Sequence, residues 1–158
     1  MTTFLVEAML ARLKTNLEAI GDGSTTWATS TTHRIQVTRD KVNTAAPKWH
    51  HLIAMRHTER SERIGVAGTT NKYQTTCDIT LDVMVEAATW NPDTDNQAWV
   101  HDLYKALRDH TVGGTASSLT VTAITPVVPS EAEDPRCKVR ATLEVWLCFM
   151  ETDPSVRV

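Results

Sequence analysis

A chain of 158 residues, 41% of them hydrophobic and with a formal net charge of -3, is the size of one ordinary domain, spanning 1–158, and is long enough to bury a single core. No run approaches the roughly 18 apolar residues of a membrane-crossing helix, and Phe4 to Ile20 carries Glu7, Arg12, Lys14 and Glu18, which excludes a signal-peptide core. The expectation is an intracellular, soluble protein with no membrane partner.

The charge is unevenly placed. Residues 1–72 hold ten Lys and Arg against six Asp and Glu, a balance of +4, whereas residues 73–158 hold six against thirteen, a balance of -7. Folding can mix the two halves over one surface without consequence. The alternative is head-to-tail self-association, in which a basic patch of one copy meets an acidic patch of the next. Cys77, Cys137 and Cys148 are odd in number, far apart and lack Cys-x-x-Cys spacing, so free thiols in a reducing compartment are the default.

In chain order, Val6, Met9, Leu13, Leu17 and Ile20 predict a helix over about Phe4 to Ile20, and Gly21-Asp22-Gly23 supplies its stop. Ser24 to Thr32, rich in Ser and Thr around Trp27, reads as a loop or extended lead-in. A short first strand follows, with Ile35 and Val37 alternating with Arg34, Gln36 and Thr38. Pro47 breaks the next connection. Trp49 to His57 reads as a second strand, with Trp49, His51, Ile53 and Met55 on one side and His50, Leu52, Ala54 and Arg56 on the other. Thr58 to Lys72 holds Glu59, Arg60, Glu62, Arg63, Gly65, Gly68 and Asn71 with little periodicity. It reads as a long hairpin loop of the kind that often touches something else.

Tyr73 to Ala87 alternates strictly, with Cys77, Ile79, Leu81, Val83 and Val85 on one face and Gln74, Thr76, Asp78, Asp82 and Glu86 on the other. A sheet with one wet face follows. After Asn91-Pro92-Asp93, Ala98, Trp99, Leu103, Ala106, Leu107 and His110 predict an amphipathic helix over the dry face. Gly113-Gly114 ends it. Leu119, Val121 and Ala123 begin a fourth strand that Pro126 and Pro129 curtail, and Ser130 to Pro135 is an exposed acidic turn. The fifth strand, Cys137 to Phe149, alternates cleanly, and Trp146, Cys148 and Met150 turn its wet face apolar at the end, suggesting a partner surface or a covering loop. The fold class is α+β: a mainly antiparallel sheet of about five strands with two helices on one face, in the order α-β-β-β-α-β-β.

No constellation points to catalysis. Adjacent His50 and His51 face opposite ways on a strand, so with His57 and His33 they make a poor metal cluster. There is no Gly-x-Ser-x-Gly, and Cys77 and Cys137 read as inward-facing small hydrophobes. Asp78 and Asp82 lie roughly 13 Å apart on a strand, too far to share acid/base work. Gly113-Gly114 lacks the Gly-Lys-Ser/Thr of a phosphate loop. Arg56, Arg60, Arg63 and Lys72 make the long loop basic, but Glu59 and Glu62 interleave and no stacking aromatics accompany them, which argues against specific nucleic-acid recognition.

The helix Phe4-Leu-Val-Glu-Ala-Met-Leu-Ala-Arg-Leu, the Trp/Thr-rich lead-in, the strand Thr76-Cys-Asp-Ile-Thr-Leu-Asp-Val-Met-Val-Glu-Ala and the helix Ala98-Trp-Val-His-Asp-Leu-Tyr-Lys-Ala-Leu together resemble the tail terminator (tail completion) proteins of long-tailed bacteriophages. The resemblance spans nearly the whole chain and rests on element order and texture. It implies a structural virion protein, assembled in the host cytoplasm, that forms a homo-hexameric ring on the head-proximal end of the tail tube. Its implied partners are its own copies, the tail tube protein and the head-tail connector protein, with DNA passing through the lumen unread. It implies no catalytic residue, metal or cofactor. Arg56, Arg60 and Arg63, with Lys72, are expected to meet an acidic edge of Asp93, Asp95 and Asp102 on a neighbour or on the tube, and Trp146 marks a further contact. Such contacts are salt-sensitive. The alternatives are a head-to-tail connector or head-closure protein of the same particle, a small α+β enzyme using His50, His51 or Cys77, or a generic binding module.

Overall fold

Strict alternation through Tyr73 to Val85 builds the central strand of the protein. The computed structural model describes residues 4–22, 26–29, 35–39, 51–85, 90–128, 134–150 and 153–158. Their elements are α1 (Leu5–Glu18), β1 (Ile35–Thr38), β2 (His51–Ala67), β3 (Thr70–Val85), α2 (Pro92–Ala106), β4 (Ser118–Pro126), β5 (Cys137–Met150) and β6 (Asp153–Arg157). The sheet runs β1-β2-β3-β5-β4, with β6 added beside the end of β5. Every pairing is antiparallel except β1 against β2. The expected α+β order holds. β6 is the addition: it is short and contains Pro154, so it carries no alternating signal.

The odd-numbered side chains of β3 and β5, from Cys77 to Val85 and from Val139 to Leu147, form one apolar face with Ile35, Val37, Ile53 and Met55. Leu5, Met9, Leu10, Leu13 and Leu17 of α1 and Trp99, Leu103 and Ala106 of α2 cover it. Each fully buried Leu contributes roughly 1.5–3 kcal/mol. Val6, expected in the α1 stripe, is half-buried, while Leu5 and Leu10 are buried instead. The helix stops where Gly21 meets β1, because a Cβ there would lie 2.5 Å from the Ile35 backbone nitrogen.

At the start of α2, Asn91 Oδ1 accepts the Asp93 N–H at 3.1 Å and an Asp95 carboxylate oxygen accepts the Asn91 N–H at 2.7 Å, with Pro92 at the first helical position. This reciprocal cap fixes the helix entry. α2 ends at Ala106 rather than His110, because Asp109 organises the next turn. Its carboxylate accepts the Thr111 N–H and hydroxyl at 3.1 and 2.8 Å and the Gly113 N–H at 2.6 Å. Val112, Gly113 and Gly114 in this turn all have positive φ. The Gly113 and Thr111 bonds hold the Asp109 carboxyl below its ordinary pKa.

A depressed carboxyl pKa stabilises the fold above its unfolded value and loses that contribution as pH falls through the folded one. Glu7, bonded by Arg39, and Asp134, bonded by Arg136, are lowered in the same way. Thermal stability is therefore expected to drop as pH falls below about 4. Asp109→Asn should lower Tm at pH 7 and shrink the drop between neutral and acid melts.

Three expectations need correction. First, the segment Thr58 to Lys72 is no loop: β2 continues to Ala67, turns at Gly68-Thr69 and returns as β3 from Thr70. Gly68, with φ +65, is the first of the two turn residues, the position where a II′ hairpin favours glycine. Thr58 to Ala67 are exposed but for half-buried Gly65, so the strand lacks the buried face that periodicity detects. Second, the register shift between Val83 and Met84 places Cys137 opposite Met84, on the face away from the helices, where it packs with Leu52 and Val127. Third, the shift between Val121 and Ala123 turns exposed Ala123 outward and hands its inner place to Ile124, opposite Ala141. The readings placed on His33, Arg34, Trp49, His50, Glu86, Ala87 and 130–133 lie outside the described residues.

Candidate interaction surface

The sheet face away from the helices is laid out in cross-strand rows. Ala54, Asp82, Arg140 and Thr125 form one, Arg56, Thr80 and Thr142 the next, then Thr58, Asp78, Glu144 and Thr120, and finally Arg60, Thr76, Trp146 and Ser118. Asp82, read as part of a solvated face, is only 7% exposed. It accepts from Arg56 Nη2 at 2.8 Å and from Arg140 Nε and Nη2 at 2.6 and 3.2 Å. Two arginines from β2 and β5 thus close over one carboxylate of β3. Beyond them Asp78 and Glu144 stand directly opposite each other, an unfavourable like-charge pair.

Trp146 is 44% exposed and donates its indole N–H to Glu144 at 2.8 Å. It lies in the same row as exposed Arg60, with Cys148 and Met150 further along β5. A large, stiff, exposed aromatic with a cation in the same row, one strand removed across Thr76, has the composition of an interface centre.

The predicted contact residues do not form the two patches expected of them. Arg56 and Arg60 share the outer face, but Arg63 faces the helix side, opposite Tyr73, because one residue of strand reverses direction. Arg56 is engaged by Asp82. Lys72 is half-buried opposite Met150. Asp93 and Asp95 do lie together in the first turn of α2, where they complement the helix dipole. Asp102 is 0% exposed, which removes it from any acidic edge. Its Oδ1 and Oδ2 accept the Ala28 and Thr29 N–H groups, each at 2.8 Å. Spacing carried that signal: Asp102 shares the stripe of Trp99, Leu103 and Ala106, where a carboxylate needs donors.

A cavity of about 250 Å³ opens where α1 begins above the hairpin, lined by Phe4, Leu5, His57, Glu59, Ser61 and Thr75 among others. Its polar groups do not assemble a nucleophile and base. Ser61 Oγ is hydrogen-bonded to Thr75 Oγ1 at 2.7 Å, and four residues of strand hold it roughly 13 Å from His57. Among the described residues no three His, Cys, Asp or Glu side chains come together to hold a metal. His51 packs on Trp99 at a centroid distance of 5.8 Å.

No family model matches the chain, nor does any curated protein.

Burial pushes the Cys77 thiol up to about 12, with Glu59 and Asp78 adding to it, and pushes Cys137 up to about 11, with Asp82 adding. Neither is a thiolate near neutral pH, so neither is an activated nucleophile. A thiol reagent should therefore modify native protein once, at half-buried Cys148, and label the other two only in denaturant. Rapid native labelling of Cys77, read by peptide mass, would contradict this and favour an enzyme.

Proposed function

We propose that this protein is a structural ring subunit that caps the head-proximal end of a phage tail tube, ends tube growth and forms the interface to the head connector. The observation that carries the reading is exposed Trp146 on the sheet face away from the helices, in one cross-strand row with Arg60 across Thr76. The element order on which the family resemblance rests, which the structure follows apart from the added β6, and the +4 and -7 halves of the chain support it. A closed ring needs two different complementary patches on each subunit. The Arg60 and Trp146 end of the sheet is one, and the acidic first turn of α2, with exposed Asp93, is the other.

The test is to add purified protein to polymerising tube subunits of the same particle and measure tube length by electron microscopy. Tubes are expected to stop growing and to carry a ring at one end. Trp146→Ala and Asp93→Lys should each abolish the arrest while the protein stays folded, with only a small shift of the melting curve. Unaltered tube length with the native protein, combined with binding to the head connector, would replace this reading with that of a head-closure component.

A further inference from the structure

β1 covers β2 only from His51 to Ala54, where Thr38 is its last partner residue. From Met55 to Ala67 no strand among the described residues pairs with the other edge of β2. Alternate backbone N–H and C=O groups therefore face outward from Met55 to Arg63, roughly 26 Å of strand, up to the bulge between Arg63 and Gly65. Such an edge is a template for another strand.

The side chains along it say which strand. Around Ser61 the charges reverse in mirror order: Arg60 against Glu62, and Glu59 against Arg63, all exposed. Arg60 and Glu62 point to the outer face, opposite Thr76 and Gln74, whereas Glu59 and Arg63 point to the helix side, opposite Cys77 and Tyr73. Directly opposed residues of an antiparallel pair share a face. Two copies related by a twofold axis through Ser61 therefore set Arg60 against Glu62 on one face and Glu59 against Arg63 on the other, each twice.

The nearest alternative registers fail. A shift of one residue would set outer-face residues against helix-side residues, which a twofold axis normal to the sheet does not allow, and a shift of two opposes Arg60 or Glu62 to itself. The sheet's far edge, Ser118–Pro126, holds no charged residue and cannot read this pattern. We propose that two copies of this chain pair in solution through the edge of β2 that no described strand covers, antiparallel about Ser61. The contact is isologous, so it closes as a dimer and consumes an edge that would otherwise invite open-ended association. It goes beyond the tail reading, and because Arg60 also lies in the patch assigned to the ring, Glu62→Arg is the variant that tests it apart from that reading.

Sedimentation equilibrium of four proteins decides it. The native chain should be a dimer that weakens with salt. Arg60→Glu and Glu62→Arg each oppose like charges twice and should weaken dimerisation at least about tenfold. An equimolar mixture of these two variants should form heterodimers, and the double variant Arg60→Glu/Glu62→Arg should recover the homodimer. Both positions are exposed, and unchanged melting curves of the single variants confirm folding. A monomeric native chain at high micromolar concentration, assembly indifferent to the single reversals, or no rescue on mixing would each overturn the proposal.

Discussion

Asp102→Ala is expected to destabilise the protein by about 3–5 kcal/mol, because hydrogen bonds to a charged group are each worth roughly 1.5–3 kcal/mol and removing one partner strands the other. The carboxylate is 0% exposed and takes the Ala28 and Thr29 N–H groups, one on each oxygen, while His101 Nδ1 lies 3.0 Å from Oδ1. These contacts fasten residues 26–29 to α2. Lys105 assists from the next turn, its Nζ 4.7 Å from the Trp27 ring centroid and donating to the Thr26 carbonyl at 2.5 Å. Asp102→Asn keeps one carbonyl acceptor and should lose about half as much. Denaturant unfolding measures both. A loss under about 1 kcal/mol for Asp102→Ala would mean that the carboxylate is not the anchor of that segment.

The second large effect contrasts two neighbours on β3. Leu81 is fully buried between the sheet and the helices, so Leu81→Ala should cost about 2–5 kcal/mol through lost transfer energy and a residual cavity. Thr80 faces the other way, between Arg56 and Thr142, so Thr80→Ala should change stability by no more than about 0.5 kcal/mol. Equal losses at the two positions would contradict the one-sided core.

The same contrast explains what the sequence makes legible. Tyr73 to Val85 and Cys137 to Phe149 could be read because one face is apolar and the other polar, and the helices because their stripes recur at three and four residues. The distal half of β2 could not. From Thr58 onward side chains on both faces are exposed, and alternation vanishes although the backbone stays extended. Gly68-Thr69 was the available cue, a two-residue hairpin turn hidden among several small and polar residues. The bulges at Val83/Met84 and Val121/Ala123 are local backbone choices that shift a face without changing composition, which is why Cys137 and Ala123 were placed on the wrong sides. The contact surface was half legible. Trp146 betrayed itself as an aromatic on a wet face, whereas the pairing of Arg56 with Asp82 and the burial of Asp102 depend on what lies across the sheet and beneath the helix.

Those placements leave Arg60 and Trp146 on one side and the Asp93 turn on the other as the proposed ring contact. The measurement that tests the capping function most directly is electron microscopy of particles assembled after disruption of this gene in its parent genome. Abnormally long tubes without heads are the predicted result. Tails of normal length beside filled, unattached heads, or unchanged infectious virions, would contradict it.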